Sequence, residues 1–316
     1  MNTGGQLHFK AIHYCGQHDG PRLIVLGAVH GNERCGTLAI TRVMALLDSG
    51  ALALTAGAVS FVPVANALAF AKGERIGQRN LNRNLYPSDA PQDFEDRAAN
   101  WLCPLLARHD VLLDLHSFSG DGAPFVMVGP HNNDGQLEPF ARAGQERALA
   151  RSLGVGRCVD GWLQTYADGV RRRATHAGAL EAELAYGIGS TEFMRSMGGY
   201  GVTLECGRHD DPAAPEVAYR AILNTLAHLE MVMAPPPAVA DMEAWTMVAA
   251  HDKRDADDAF SRPWASFDRI RLGELIGTRA DDTPVHAECE GVILFPDSVA
   301  AAGKEWYYLA RENRGF

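Results

Sequence analysis

The sequence predicts an α/β fold: a mostly parallel, doubly wound mixed sheet followed by a small β-rich domain. Three observations carry that prediction. Residues 23–26, 111–115 and 201–206 are short apolar runs of the kind found in strands covered on both faces, as in parallel sheets. Segments of helical periodicity lie between them, which is the alternation of βαβ units. After Pro235, Pro236 and Pro237 stiffen the chain, the pattern changes to short strands and turns. The chain therefore divides into residues 1–234, a linker at 235–240 and a β-rich domain at 241–316.

In order, residues 7–12 read as an edge strand and 16–21 as a polar turn. The apolar run 23–26 follows, with Gly27 and Gly31 allowing a tight turn that carries His30 and Glu33. Residues 36–47 have helical spacing, with Leu38, Val43, Met44 and Leu47 on one face; Asp48-Ser49-Gly50 ends the helix. A strand at 59–64 precedes a loop at 72–86 that holds Lys72, Arg75, Arg79 and Arg83. A helix at 95–108 leads to the strand 111–115, which ends in His116-Ser117. A short strand at 125–128 and helices at 137–153 and 181–197 come next, the second broken at Gly187 and Gly189. The strand 201–206 contains Glu205 near its end, and a helix spans 214–233. The C-terminal strands are expected at 246–250, 270–276, 285–287, 292–295 and 306–309.

Composition narrows the function. At 316 residues, 47% hydrophobic and 22% charged, the chain is an ordinary globular protein with room for about two domains. A net charge of −10 and the lack of a basic stripe exclude a nucleic-acid partner. The cluster Arg171-Arg172-Arg173 reads as a solvated turn that could also steer an anionic substrate. Cys15, Cys35, Cys103, Cys158, Cys206 and Cys289 form no C-x-x-C pair, so neither a zinc ribbon nor a disulfide framework is expected. Buried thiols and the absence of an apolar signal core in the first ten residues give a cytoplasmic expectation. Residues 49–71 carry no charge and are long enough to cross a bilayer. Thr55, Gly57, Pro63 and Asn66 interrupt them, so no membrane span is expected.

The polar residues at the strand ends suggest chemistry. His30 and Glu33, three apart on one turn, can reach a single divalent ion, although a solvated loop shows the same spacing. Asp114 and His116 are two apart on a strand and face the same side. A carboxylate inside an apolar strand costs several kcal/mol unless something positive lies beside it, and a metal centre would serve. A doubly wound sheet brings such strand ends together. Two histidines and a glutamate make a catalytic zinc set with one position left for water, whose pKa falls towards ~7. One zinc per chain is expected; manganese or cobalt could take the same ligands. Glu205 could move the water's proton, and an arginine could stabilise the oxyanion. The cationic loop suits carboxylate recognition, while on its own it is equally a polar surface loop.

Four motifs in order, HGNE at 30–33, LNR at 81–83, DLHS at 114–117 and TLECG at 203–207, resemble the succinylglutamate desuccinylase/aspartoacylase family. That family is a deacylase branch related to zinc carboxypeptidases. The resemblance runs from about residue 23 to 207 and extends weakly through ILFPDSVAAAGKEWYYLA at 293–310. It implies a sheet of zinc carboxypeptidase type, with zinc held by His30, Glu33 and His116. It makes Glu205 the general base and proton shuttle, and Arg75 the group that polarises the scissile carbonyl, with Arg79 and Lys72 as rivals. Asn82 and Arg83 would hold a substrate carboxylate. Arg195, ten residues before Glu205, is either another carboxylate-binding arginine or an exposed helix-end residue. One departure is Asn80, where the family commonly has an aspartate; an amide accepts a hydrogen bond but raises imidazole basicity less. The segment between His116 and Glu205 also looks longer than usual. Tyr307 and Tyr308 are candidates for the C-terminal tyrosine of aspartoacylases, or are packed strand residues.

The expected function is hydrolysis of the amide, or the ester, of a small anionic N-acyl amino acid such as N-succinylglutamate or N-acetylaspartate. A zinc carboxypeptidase acting on short peptides would share the chemistry, and only a cleft capped by the C-terminal domain would separate the two. A non-catalytic metal-binding protein is the third reading; it would need neither Glu205 nor Arg75. The acyl group, the amino acid and any homo-oligomer are left open.

Overall fold

The computed structural model describes residues 7–173, 184 and 186–316. Its centre is built by the apolar runs. β2 (His18–Leu26) finishes with four residues that have no exposure, and β4 (Val111–Phe118) is buried along its whole length. Their side chains alternate between two cores, as the period of a strand requires. Leu23, Val25, Val111, Leu113 and Leu115 face one core, which is closed by α1 (Cys35–Asp48), α4 (Ala143–Ser152) and α7 (Ala214–His228). Ile24, Leu26 and Leu112 face the other, closed by α3 (Phe94–Leu106) and α6 (Ser190–Ser196). The sheet is thus covered on both sides.

The remaining elements are β1 (Ile12–Cys15), β3 (Ala56–Val62), α2 (Ala67–Lys72), β5 (Phe125–Met127), β6 (Arg157–Asp160), α5 (Trp162–Arg173) and β7 (Tyr200–Arg208). In the C-terminal part lie β8 (Glu243–Asp252), β9 (Ala259–Phe260), β10 (Arg269–Ile270), β11 (Leu275–Thr278), β12 (Pro284–His286), β13 (Gly291–Leu294) and β14 (Glu305–Glu312). Among the described residues one sheet has eleven strands in the order β1-β3-β2-β4-β7-β5-β6-β8-β14-β13-β10. From β3 to β8 the pairings are parallel except β7 with β5; from β8 onward they are antiparallel. The fold is a mixed α/β architecture with a large, mostly parallel sheet through its first two thirds. The parallel block β2-β4-β7 aligns the three strand ends that carry polar groups.

Several expectations shift. The edge strand lies at Ile12–Cys15 rather than 7–12, and most of the expected turn at 16–21 is the start of β2, paired at His18 with Ala56. Leu38 is 56% exposed, while Val43, Met44 and Leu47 pack on the core as expected, joined by Cys35, Gly36, Ala39 and Ile40. The helix expected at 137–153 starts only at Ala143, because residues 133 and 140 pair as an isolated bridge. Of the helix expected at 181–197, residues 181–183 and 185 lie outside the described set and the helix observed is α6. The side chains of Arg172 and Arg173 are likewise outside it, while Arg171 pairs with Asp168 at 2.8 Å on the surface. Strand β6 and helix α5 were unforeseen. The C-terminal strands β8, β14, β13 and β10 continue the main sheet, while β12-β11-β9 form a small second one. Residues 49–71 contain β3 and α2, and no described helix is long and apolar enough to cross a membrane.

Candidate metal centre

The turn after β2 starts with Ala28 at φ 47°, a left-handed conformation that costs energy for a residue with a Cβ and is typical of functional turns. The neighbouring glycines are required for a different reason from the one expected. A Cβ on Gly31 would fall 2.0 Å from the backbone of Ala69, so α2 packs directly on the turn. Asn66 caps α2 by accepting from the Ala69 N–H at 3.1 Å. That packing fixes the direction of His30 and Glu33.

His30, Glu33 and His116 are all buried, and their ligand atoms lie within 4.8 Å of one another. The two imidazole rings are 5.0 Å apart, edge to face. Glu33 bridges them: Oε1 lies 2.8 Å from His30 Nδ1 and Oε2 lies 2.8 Å from His116 Nδ1. The other ring nitrogens point outward. His30 Nε2 donates to Asn80 Oδ1 at 3.1 Å, and His116 Nε2 lies 3.0 Å from Asp114 Oδ2. His30 is thus held by a hydrogen bond and His116 by a close ion-pair approach, and both Nδ1 atoms face the centre. Asp114 therefore has the positive neighbour that its burial demands.

Glu205 is the register partner of His116 on the adjacent parallel strand, so its side chain leaves the sheet on the same face about 5 Å away. Its Oε2 and Asp114 Oδ1 are buried without a hydrogen-bond partner among the described residues. Burial pushes the Glu205 carboxyl up to about 7, and the nearby Glu33 carboxylate adds to the rise while His116 opposes it. Burial, aided by the Arg75 charge, lowers His30 to about 4. For His116 the carboxylates of Asp114 and Glu33 outweigh burial and hold it well above its ordinary value; the same contacts hold Glu33 well below. Three buried carboxylates, two of them with orphaned oxygens, around two imidazoles form a set short of positive charge. N, N and O donors this close fit one divalent ion.

Of the loop cations, Arg75 reaches the centre, donating from Nη1 to Glu33 Oε1 at 2.7 Å with its side chain half exposed. Arg79 is spent on Asp93 and Asp96 at the start of α3, and Lys72 on the Gly77 carbonyl. Asn82 Oδ1 accepts from the Ser190 N–H at 2.8 Å. The Arg83 guanidinium lies over the Trp162 ring at 4.5 Å and donates to the Asn82 carbonyl at 2.8 Å, with no acidic partner among the described residues. Arg195 is elsewhere. It is buried, and its nitrogens go to Glu146 at 3.0 and 3.2 Å, Glu138 at 2.7 Å and the Gly201 carbonyl at 3.0 Å. Gly201 stands four residues before Glu205, about 13 Å back along β7. Arg195 is therefore neither an exposed helix-end residue nor beside the three ligands; it neutralises a buried carboxylate cluster. Tyr307 and Tyr308 are packed strand residues, 0% and 6% exposed.

Three contributors escaped the sequence reading. Glu95, buried at the start of α3, accepts from the backbone N–H groups of Gly77, Gln78 and Arg79 and from Asn66, and so shapes the cationic loop. Ser190 donates to Asp114 Oδ2, and His209 places its Nδ1 2.8 Å from the Ser117 hydroxyl. Only Glu95 had a signal, an acid in the first turn behind the capping Asp93.

Residues 19–145 match the family model described as the succinylglutamate desuccinylase/aspartoacylase catalytic domain. No curated protein matches the chain. Among solved structures, a succinylglutamate desuccinylase/aspartoacylase from Rhodobacter sphaeroides is similar at 18% identity and TM-score 0.73, over 98% of this chain and 91% of that one. The product-bound ectoine utilization protein EutE (DoeB) from Ruegeria pomeroyi is similar at 19% identity and TM-score 0.70, over 95% and 87%. The succinylglutamate desuccinylase from Vibrio cholerae is similar at 17% identity and TM-score 0.67, over 96% and 85%. At these identities the structures speak to the fold. On this match residues 19–145 resemble the succinylglutamate desuccinylase/aspartoacylase catalytic domain, and the solved structures share the fold over nearly the whole chain.

Proposed function

We propose that the protein is a zinc-dependent deacylase that hydrolyses the amide bond of a small, anionic N-acyl amino acid. The observation that carries this reading is the convergence of His30, Glu33 and His116 on one point with Glu205 in register beside it. Zinc bound by these three residues would polarise the scissile carbonyl and acidify water. Glu205 takes the proton of the attacking water and returns it to the leaving amine; a buried carboxyl with a raised pKa suits both directions. Arg75 stabilises the developing oxyanion. Asn82 and Arg83 hold the substrate carboxylate, a role supported by a guanidinium that is stacked but has no acidic partner among the described residues. Asp114 and Asn80 orient the two histidines.

We assign residues 1–234 to the catalytic unit, 235–240 to the linker and 241–316 to a module that walls the cleft. In support, Phe295 packs on Phe118 at 6.1 Å and the Ser266 N–H donates to the Asp121 carbonyl at 2.8 Å, both at the end of β4. A cytoplasmic location accords with five buried, unpaired cysteines. The deciding experiment is a panel of N-acetyl and N-succinyl amino acids run beside dipeptides with the zinc-loaded protein. Turnover confined to the N-acyl amino acids is expected. Preference for dipeptides would make it a carboxypeptidase, and no turnover of either would leave a metal-binding protein.

A further inference from the structure

The two histidines are linked by more than the carboxylate between them. His30 Nε2 donates to Asn80 Oδ1 at 3.1 Å, and the same oxygen accepts the Asn82 N–H at 2.9 Å. Asn82 Oδ1 accepts the Ser190 N–H at 2.8 Å, and Ser190 Oγ donates to Asp114 Oδ2, which lies 3.0 Å from His116 Nε2. Ser190 is 1% exposed and opens α6, a helix on neither of the strands that supply the histidines. The approach of Asn82 to this helix depends on Gly189, where a Cβ would stand 2.4 Å from Asn82 Oδ1.

We propose that Ser190 is a positioning residue that couples the metal centre to the substrate pocket, holding Asp114 against His116 through its hydroxyl and the Asn82 carboxamide through its backbone N–H. The hydroxyl donates to the same Oδ2 that faces the imidazole, and so favours that orientation of the carboxylate. Substrate drawn onto Asn82 pulls on the same residue that orients the metal ligand. The Asn82 half rests on the substrate reading above; the metal half does not.

The test measures zinc affinity of the full chain by competition with a chromophoric chelator, which needs no substrate. Ser190→Ala is expected to weaken zinc about tenfold, the low end for loss of an outer partner of a metal-bound histidine. Ser190→Cys, of similar volume and with a weaker donor, is expected to fall between. Gly189→Ala, which crowds Asn82 but leaves the Ser190 hydroxyl, should keep zinc affinity within twofold and raise KM about tenfold at unchanged kcat. Zinc affinity within twofold of the unaltered protein in both Ser190 variants overturns the proposal. So does failure of both to fold, because Ser190 would then act on folding alone, and so does an unchanged KM in Gly189→Ala. If no N-acyl amino acid is turned over, the substrate reading falls while the zinc measurement still decides the role of Ser190.

Discussion

Glu205 differs from Glu33 in what surrounds its oxygens. Glu33 has both of them satisfied by imidazoles, Arg75 and the Ser117 N–H, whereas Glu205 Oε2 has no hydrogen-bond partner among the described residues. A satisfied carboxylate is a ligand or a strut; an orphaned one beside the centre is free to take a proton. Glu205→Gln keeps the shape and removes the base. We expect turnover to fall by about 10²–10⁴-fold with zinc content still at one ion, measured by single-turnover assay and metal analysis. Unchanged turnover would remove Glu205 from the reaction. His116→Ala should instead lose the metal itself, read by the same metal analysis.

Two short elements are held by single carboxylates. The loop after α2 has no regular structure of its own and takes its shape from Glu95, which gathers three successive backbone N–H groups. Removing it leaves the buried Gly77 N–H and the two N–H groups after it without their acceptor, so Glu95→Ala is expected to cost about 2 kcal/mol and to raise KM by displacing Arg83 and Asn82. A denaturant melt and steady-state kinetics check both parts. In the C-terminal region Asp258, 4% exposed, accepts from Arg279 at 2.7 Å and from the N–H groups of Arg254, Asp255 and Ala280. Burial alone would raise its pKa, but these donors pull it down to about 2. A carboxyl depressed in the folded state stabilises it above the unfolded value near 3.8, and that contribution is lost as pH falls through about 2. Asp258→Asn should therefore cost about 2 kcal/mol at pH 7 and flatten the stability profile between pH 4 and 2.

At the scale of the whole molecule, the C-terminal strands belong to the same sheet as the site. β8 pairs with β6, and Trp245, Met247 and Tyr308 share a core with Phe118, Phe125 and Val159. A chain stopped at residue 234 would uncover that core and turn β6 into an edge. We expect it to show no cooperative thermal transition; a soluble fragment with a sharp melt and bound zinc would establish an independent catalytic unit. Metal should stabilise the intact chain as well. Free zinc at about a thousand times its dissociation constant adds about 4 kcal/mol, which raises Tm on the order of 10 °C and is reversed by a chelator.

Residue order alone determined the doubly covered strands, because a run such as Leu23-Ile24-Val25-Leu26 has no polar face to turn outward. It marked His30, Glu33, His116 and Glu205 as candidates, because each lies at or just beyond the end of such a run. It left β6 and α5 undetected, since four residues and a polar helix carry little periodicity. It also misplaced Arg195, because ten residues along the chain do not say that the intervening turn carries α6 back past the start of β7 to Glu146. Only the tertiary structure decided which loop cation meets Glu33, that Ser190 stands behind Asp114, and that the C-terminal strands extend one sheet. Those contacts join positions 42 to 153 residues apart. Local propensity and spacing act over a few residues, whereas such pairings exist only after the chain has closed on its core.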